Sequence, residues 1–168
     1  LFDGVVASYG EASVLGIETL DIVQLKEAAP LAIAAVFRAL QRDRLIGDRP
    51  KLVVVDEVWS LLQSELFAGE IESWAREMRK LKAALVLASQ SLADFATERA
   101  KVIFDQIANR IFLPHAEALR PQTRTLYQAV GLLDAQIKLL TSAQPKAEYL
   151  LQTEQATRLV QVRLEDEA

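Results

Sequence analysis

Leu52-Val53-Val54-Val55-Asp56-Glu57 is the stretch on which the reading of this chain turns. Four apolar residues, three of them β-branched, run without a break behind Lys51 and end on two adjacent carboxylates. Such a run predicts a strand over 51–55 buried on both faces, as in a parallel sheet covered by helices. In open α/β sheets the carboxyl ends of the strands form the edge where ligands bind. The same string also suits a plainer role, with Asp56 capping the next helix and Glu57 solvated. A short motif does not decide between them.

Outward from that strand, the pattern alternates. Ile71, Trp74, Ala75, Met78 and Leu81 recur at helical spacing, and 83–88 is a second apolar run fit for a strand. Residues 110–113 make a third, stopped by Pro114. Helices are expected over 92–107 in two pieces, over 123–130 and over 134–140. Upstream, Pro30 stands where a first helical turn tolerates it, and Ile33, Val36, Phe37 and Leu40 share one face behind it. A short strand is expected over 13–23 and a strand stub at Leu1-Phe2. Residues 148–152 and 157–162 read as a closing hairpin. Helices alternating with apolar strands predict an α/β fold with a mainly parallel sheet.

Composition narrows the chemistry. Hydrophobic residues are 51% and charged residues 25% of the 168, a globular balance long enough to bury a core. Cysteine is absent, which excludes disulfides, thiolate zinc sites and a cysteine nucleophile. His115 is the single histidine, so a multi-histidine metal site or a Ser-His-Asp triad is a poor fit. The net charge of −4 speaks against a nucleic-acid-coating module. No apolar run approaches the roughly 20 residues of a membrane-spanning helix.

The blocks Val53-Val54-Val55-Asp56-Glu57-Val58-Trp59-Ser60, Arg79-Lys80, Ala88-Ser89-Gln90-Ser91, Ile111-Phe112-Leu113-Pro114 and Tyr127 to Gly131 stand in order along the chain. Together they resemble the ATPases of type IV secretion and conjugal transfer, the VirB/TrbE/CagE group of RecA-like P-loop NTPases. Val58 stands where that group usually has Ala, and His115 where Asn is common. Neither change removes a charged group. The resemblance implies a RecA-like sheet flanked by helices and hydrolysis of ATP with Mg2+. Asp56 would bind the Mg2+ through water, and Glu57 would polarise the attacking water. Gln90 would sense the γ-phosphate, although a loop amide beside a helix cap at Ser91 explains it as well. Arg79 would reach the nucleotide of a neighbouring subunit. Its cluster with Arg76, Lys80 and Lys82 equally suits the carboxyl end of a helix whose other end carries Glu70 and Glu72. Arg110 and Arg124 are weaker candidates for that arginine, and Trp59 and Trp74 read as packing aromatics. His115 reads as a loop residue and Glu165-Asp166-Glu167 as a solvated tail.

One element of the family is missing. No G-x-x-x-x-G-K-[ST] loop occurs anywhere in the sequence, so the backbone cradle for phosphate is absent. The expectation is that 1–168 is the carboxy-terminal portion of a RecA-like ATPase domain without its P-loop strand, inactive by itself. The Asp56-Glu57 strand should then pair with 83–88, and one strand should be missing between 83–88 and 110–113. The resemblance further implies a homo-oligomer, as a hexameric ring. It would sit at the cytoplasmic face of the bacterial inner membrane, held there by other secretion-channel proteins. A DNA-translocating motor of the coupling-protein or FtsK/HerA kind shares the same strand and is the alternative. The sequence shows no strong nucleic-acid signal in its favour.

Overall fold

The computed structural model describes residues 14–18, 29–40, 42, 49–62, 65–78, 80–95 and 98–162. Arg79, the stub at Leu1-Phe2 and the acidic tail lie outside the described residues. The chain divides into two compact units, Leu1–Phe104 and Asp105–Ala168.

The first unit holds α1 (Ala29–Leu40), β1 (Lys51–Val55), α2 (Val58–Leu62), α3 (Glu65–Glu77) and β2 (Ala83–Leu87). A 3₁₀ turn, Leu92–Phe95, and α4 (Glu98–Gln106) follow β2. Over residues 14–18 no strand forms, so the expectation for 13–23 fails where it is described. In α3, Phe67, Ile71, Trp74 and Met78 are all buried. Their spacing of four, three and four residues keeps them on one face of a 3.6-residue helix. Burying side chains of this size contributes about 1.5–3 kcal/mol each. α3 packs against α1 and α2, and Arg38 of α1 reaches Glu70 of α3 at 3.5 Å. The expected i,i+4 pair of Glu72 with Arg76 is formed.

β1 and β2 pair in parallel, Lys51 opposite Ala83 through Val55 opposite Leu87, as the sequence predicted. Burial alternates, however, instead of covering both faces. Val55 is buried, whereas Leu52 and Val54 are 65% and 59% exposed and Val86 is 44% exposed. The register sets Leu52 beside Ala84 and Val54 beside Val86, so these residues form one open apolar face. An unbroken apolar run marks a strand but does not reveal how many of its faces find a partner.

The second unit holds β3 (Arg110–Phe112), α5 (Pro121–Ala129), α6 (Asp134–Ser142), β4 (Glu148–Gln152) and β5 (Thr157–Gln161). The sheet order is β3-β4-β5 and both pairings are antiparallel. The closing hairpin is as expected, but β3 is not a further strand of a parallel sheet. Two helices stand between β3 and β4. One helix returns the chain to a parallel start, whereas two return it from the opposite end. No ladder joins β2 to β3 among the described residues.

Tyr127 to Gly131 ends α5. The Gly131 N–H bonds to Gln128 O at 3.0 Å and the Leu132 N–H to Tyr127 O at 3.1 Å. This is the Schellman pattern, and it needs the left-handed φ of 87° that Gly131 adopts. Tyr127 itself is buried, and burial pushes its phenol pKa up. Its hydroxyl meets His115 Nδ1 at 3.0 Å, and its ring meets Phe112 edge-on with centroids 6.0 Å apart. His115 is therefore a packing residue of this unit as well as a loop residue; its backbone N–H donates to Leu140 O at 2.9 Å.

Candidate active site

The ends of β1 and β2 are zipped beyond the strands. The Ala88 N–H donates to Val55 O at 2.9 Å, and the Val58 N–H donates to Ala88 O at 3.0 Å. Asp56 and Glu57 span the two residues between those bonds, so they protrude at the carboxyl edge of the sheet. Glu57 takes a φ of 50°, the left-handed region that side chains other than glycine enter at a cost. The backbone N–H of Glu57 donates to Asp56 Oδ1 at 2.9 Å.

Gln90, two residues past Ala88, returns to the same place. Its Nε2 donates to Glu57 Oε1. The other carboxylate oxygen, Oε2, accepts from the indole Nε1–H of Trp59 at 2.8 Å. The two residues that the sequence nominated on separate strands thus meet, with Asp56 adjacent in the chain. Beyond Gln90, Ser89 Oγ hydrogen-bonds Asp94 Oδ2 and the Ala93 N–H donates to Ser91 Oγ at 3.1 Å. The cap at Ser91 is therefore real, and it coexists with the Gln90–Glu57 bond.

Trp59 corrects an expectation. It is 39% exposed, whereas Trp74 is buried. Trp59 binds Glu57 and is no core aromatic. A donor-only ring two residues after a carboxylate, at a helix start, was the signal in the sequence.

Asp56 and Glu57 offer oxygen donors only, and no cluster of three or more His, Cys, Asp or Glu forms among the described residues. Mg2+ keeps several waters and leans on one or two carboxylates plus substrate phosphates, so a sparse oxygen set at a strand end fits it. A zinc-type cage does not arise here.

The other arginines are engaged elsewhere. Arg124 binds Asp134 through both Nε, at 2.9 Å, and Nη2. Arg110 donates from Nη1 to Gln152 Oε1 at 3.2 Å, and burial lowers its pKa against the opposing pull of Asp105. It lines a cleft of the second unit with Asp105, Gln106, Thr153 and Glu154. Among the described residues no helix is long and apolar enough to cross a membrane.

Comparison with known proteins agrees with the ordered motifs. A probable conjugal transfer protein TrbE of Sinorhizobium fredii (strain NBRC 101917 / NGR234) is 31% identical over 163 residues. That match covers 94% of this chain and 24% of the relative. Conjugal transfer protein TrbE of Rhizobium radiobacter is 33% identical over 132 residues, 77% of this chain and 16% of the relative. The chain thus spans a quarter or less of the length of these relatives. The structure of VirB4 of Thermoanaerobacter pseudethanolicus superposes with a TM-score of 0.66 at 19% identity. The match covers 86% of this chain and 38% of the VirB4 chain, a likeness in fold. No family model matches.

Proposed function

Because the chain belongs to the TrbE/VirB4 group of conjugal-transfer proteins, we propose that it is the water-activating part of an ATP-hydrolysing module that energises conjugation or type IV secretion. The observation that carries this reading is the meeting of Glu57 and Gln90 at one strand edge. An acid-amide pair of that kind, beside a second acid, is what hydrolysis of a phosphoanhydride needs from a protein.

In this reading Asp56 holds Mg2+ through water, and Glu57 accepts the proton of the attacking water. Gln90 orients that water or touches the γ-phosphate. When bound, the metal neutralises charge on the phosphate oxygens. The sequence holds no phosphate-binding loop, so the phosphate cradle comes from residues outside these 168. Arg79 acts across a subunit boundary, in a hexameric ring docked on secretion-channel proteins at the cytoplasmic face of the inner membrane.

The reading is tested by ATP hydrolysis in a protein that also carries the phosphate-binding loop. Asp56→Asn weakens Mg2+-dependent nucleotide binding, whereas Glu57→Gln retains bound ATP and fails to hydrolyse it. Near-normal turnover by Glu57→Gln would overturn the assignment.

A further inference from the structure

We infer that Trp59 is a positioning residue for Glu57, holding one carboxylate oxygen so that the other is presented to water; this rests on Glu57 being the base. Three observations carry it. The indole Nε1–H lies 2.8 Å from Glu57 Oε2. The ring is 39% exposed, so packing does not explain a tryptophan there. The residue before it, Val58, is fully buried and its N–H is bonded to Ala88 O at 3.0 Å. That anchor fixes the start of α2 to the end of β2, and Trp59 passes the fixation on to Glu57.

The division of labour between the two donors follows from their chemistry. Gln90 donates to Oε1 from a loop after β2, whereas Trp59 donates to Oε2 from the chain that carries Glu57 itself. An indole is donor-only and does not titrate in the ordinary pH range, so it grips a carboxylate without exchanging protons with it. A lysine or arginine in its place would bring a positive charge that favours the ionised carboxylate and makes it a poorer proton acceptor. Tyrosine could donate equally well, but its hydroxyl also accepts and would compete for the water. Glutamate has several rotatable bonds, and its backbone here is already left-handed. Without a second tether its carboxylate spreads over rotamers that do not face water.

The test joins a spectrum with kinetics. The full chain has two tryptophans, so its 1H–15N spectrum carries two indole signals, and Trp59→Phe assigns one by removing it. In Glu57→Ala that signal moves upfield and its exchange with solvent accelerates. A Trp59 signal unmoved by Glu57→Ala overturns the inference. In a protein that carries the phosphate-binding loop, Trp59→Phe lowers kcat about tenfold with KM within about twofold, the mark of an interaction serving the chemical step. Wild-type kcat in Trp59→Phe, where Glu57→Gln is inactive, also overturns it. Full activity in Glu57→Gln would instead sink the base assignment while the spectrum still decides whether Trp59 holds the carboxylate.

Discussion

The side-chain amide of Gln90 donates a hydrogen bond to the carboxylate of Glu57 across 33 residues of sequence. The bond exists because β1 and β2 are parallel neighbours in register, Val55 opposite Leu87, so both chains leave the sheet at the same edge. Glu57 and Gln90 are thereby brought together by backbone pairing before either side chain contributes.

A first prediction follows from the charge of that pair. Gln90→Ala removes a neutral donor and lowers ATP turnover about tenfold or more in a protein that carries the phosphate-binding loop. Gln90→Glu sets a second carboxylate against Glu57, and like charges at contact distance resist joint ionisation. Turnover should therefore fall further in Gln90→Glu than in Gln90→Ala. Equal losses would mean that the amide is only a spacer.

Arg79 calls for a different kind of assay, because the proposed role crosses a subunit boundary. Arg79→Ala should lower turnover by about 10³-fold, the range seen for arginine fingers. Mixed into wild-type rings, it should depress activity beyond its own fraction. Loss in simple proportion to the mutant fraction would confine Arg79 to its own subunit.

Gly131 is predicted to matter through its backbone. A Cβ there would meet only Gln152 Nε2 at 3.9 Å, an ordinary contact, but the φ of 87° disfavours any L side chain. Gly131→Ala should lower unfolding free energy by about 1–2 kcal/mol, read from urea titrations. The cost should persist in Gly131→Ala combined with Gln152→Ala, since no clash is being relieved.

The Arg124–Asp134 pair predicts a pH dependence. Hydrogen bonding from Arg124 holds the Asp134 carboxyl below the usual aspartate value, with Gln128 assisting. Folded Asp134 then binds its proton less readily than the unfolded chain does. The stability it contributes is present above the ordinary aspartate value of about 3.9 and is lost as pH falls through the lower folded value. The urea midpoint of the native chain should exceed that of Asp134→Asn near neutrality, by a small margin because the pair is exposed. That margin should close in acid. A margin independent of pH would show that Asp134 acts through its shape alone.

How far the sequence revealed this molecule depends on the distance over which each interaction acts. The Leu52 to Val55 run, the periodic face of α3 and the hairpin of β4 and β5 are local patterns, and all were legible. The antiparallel pairing of β3 with β4 was not, because it depends on two intervening helices reversing the chain. The open face at Leu52, Val54 and Val86 was invisible for a similar reason: an apolar residue looks the same whether or not something covers it. At the site, Asp56, Glu57 and Gln90 were found from their places after strands. Trp59 was misassigned because aromatic residues near helix starts most often pack, and only the hydrogen bond to Glu57 distinguishes this one.

The left-handed backbone at Glu57 sets two kinds of selection against each other. Glycine would relax that residue, and asparagine tolerates the conformation better than glutamate does. A laboratory screen that rewards heat resistance and ignores turnover should therefore drift toward Gly or Asn at position 57, erasing the carboxylate. A screen that rewards turnover must keep the glutamate and accept the strained backbone. Position 57 is thus a place where a library's winners disclose which pressure was applied to it.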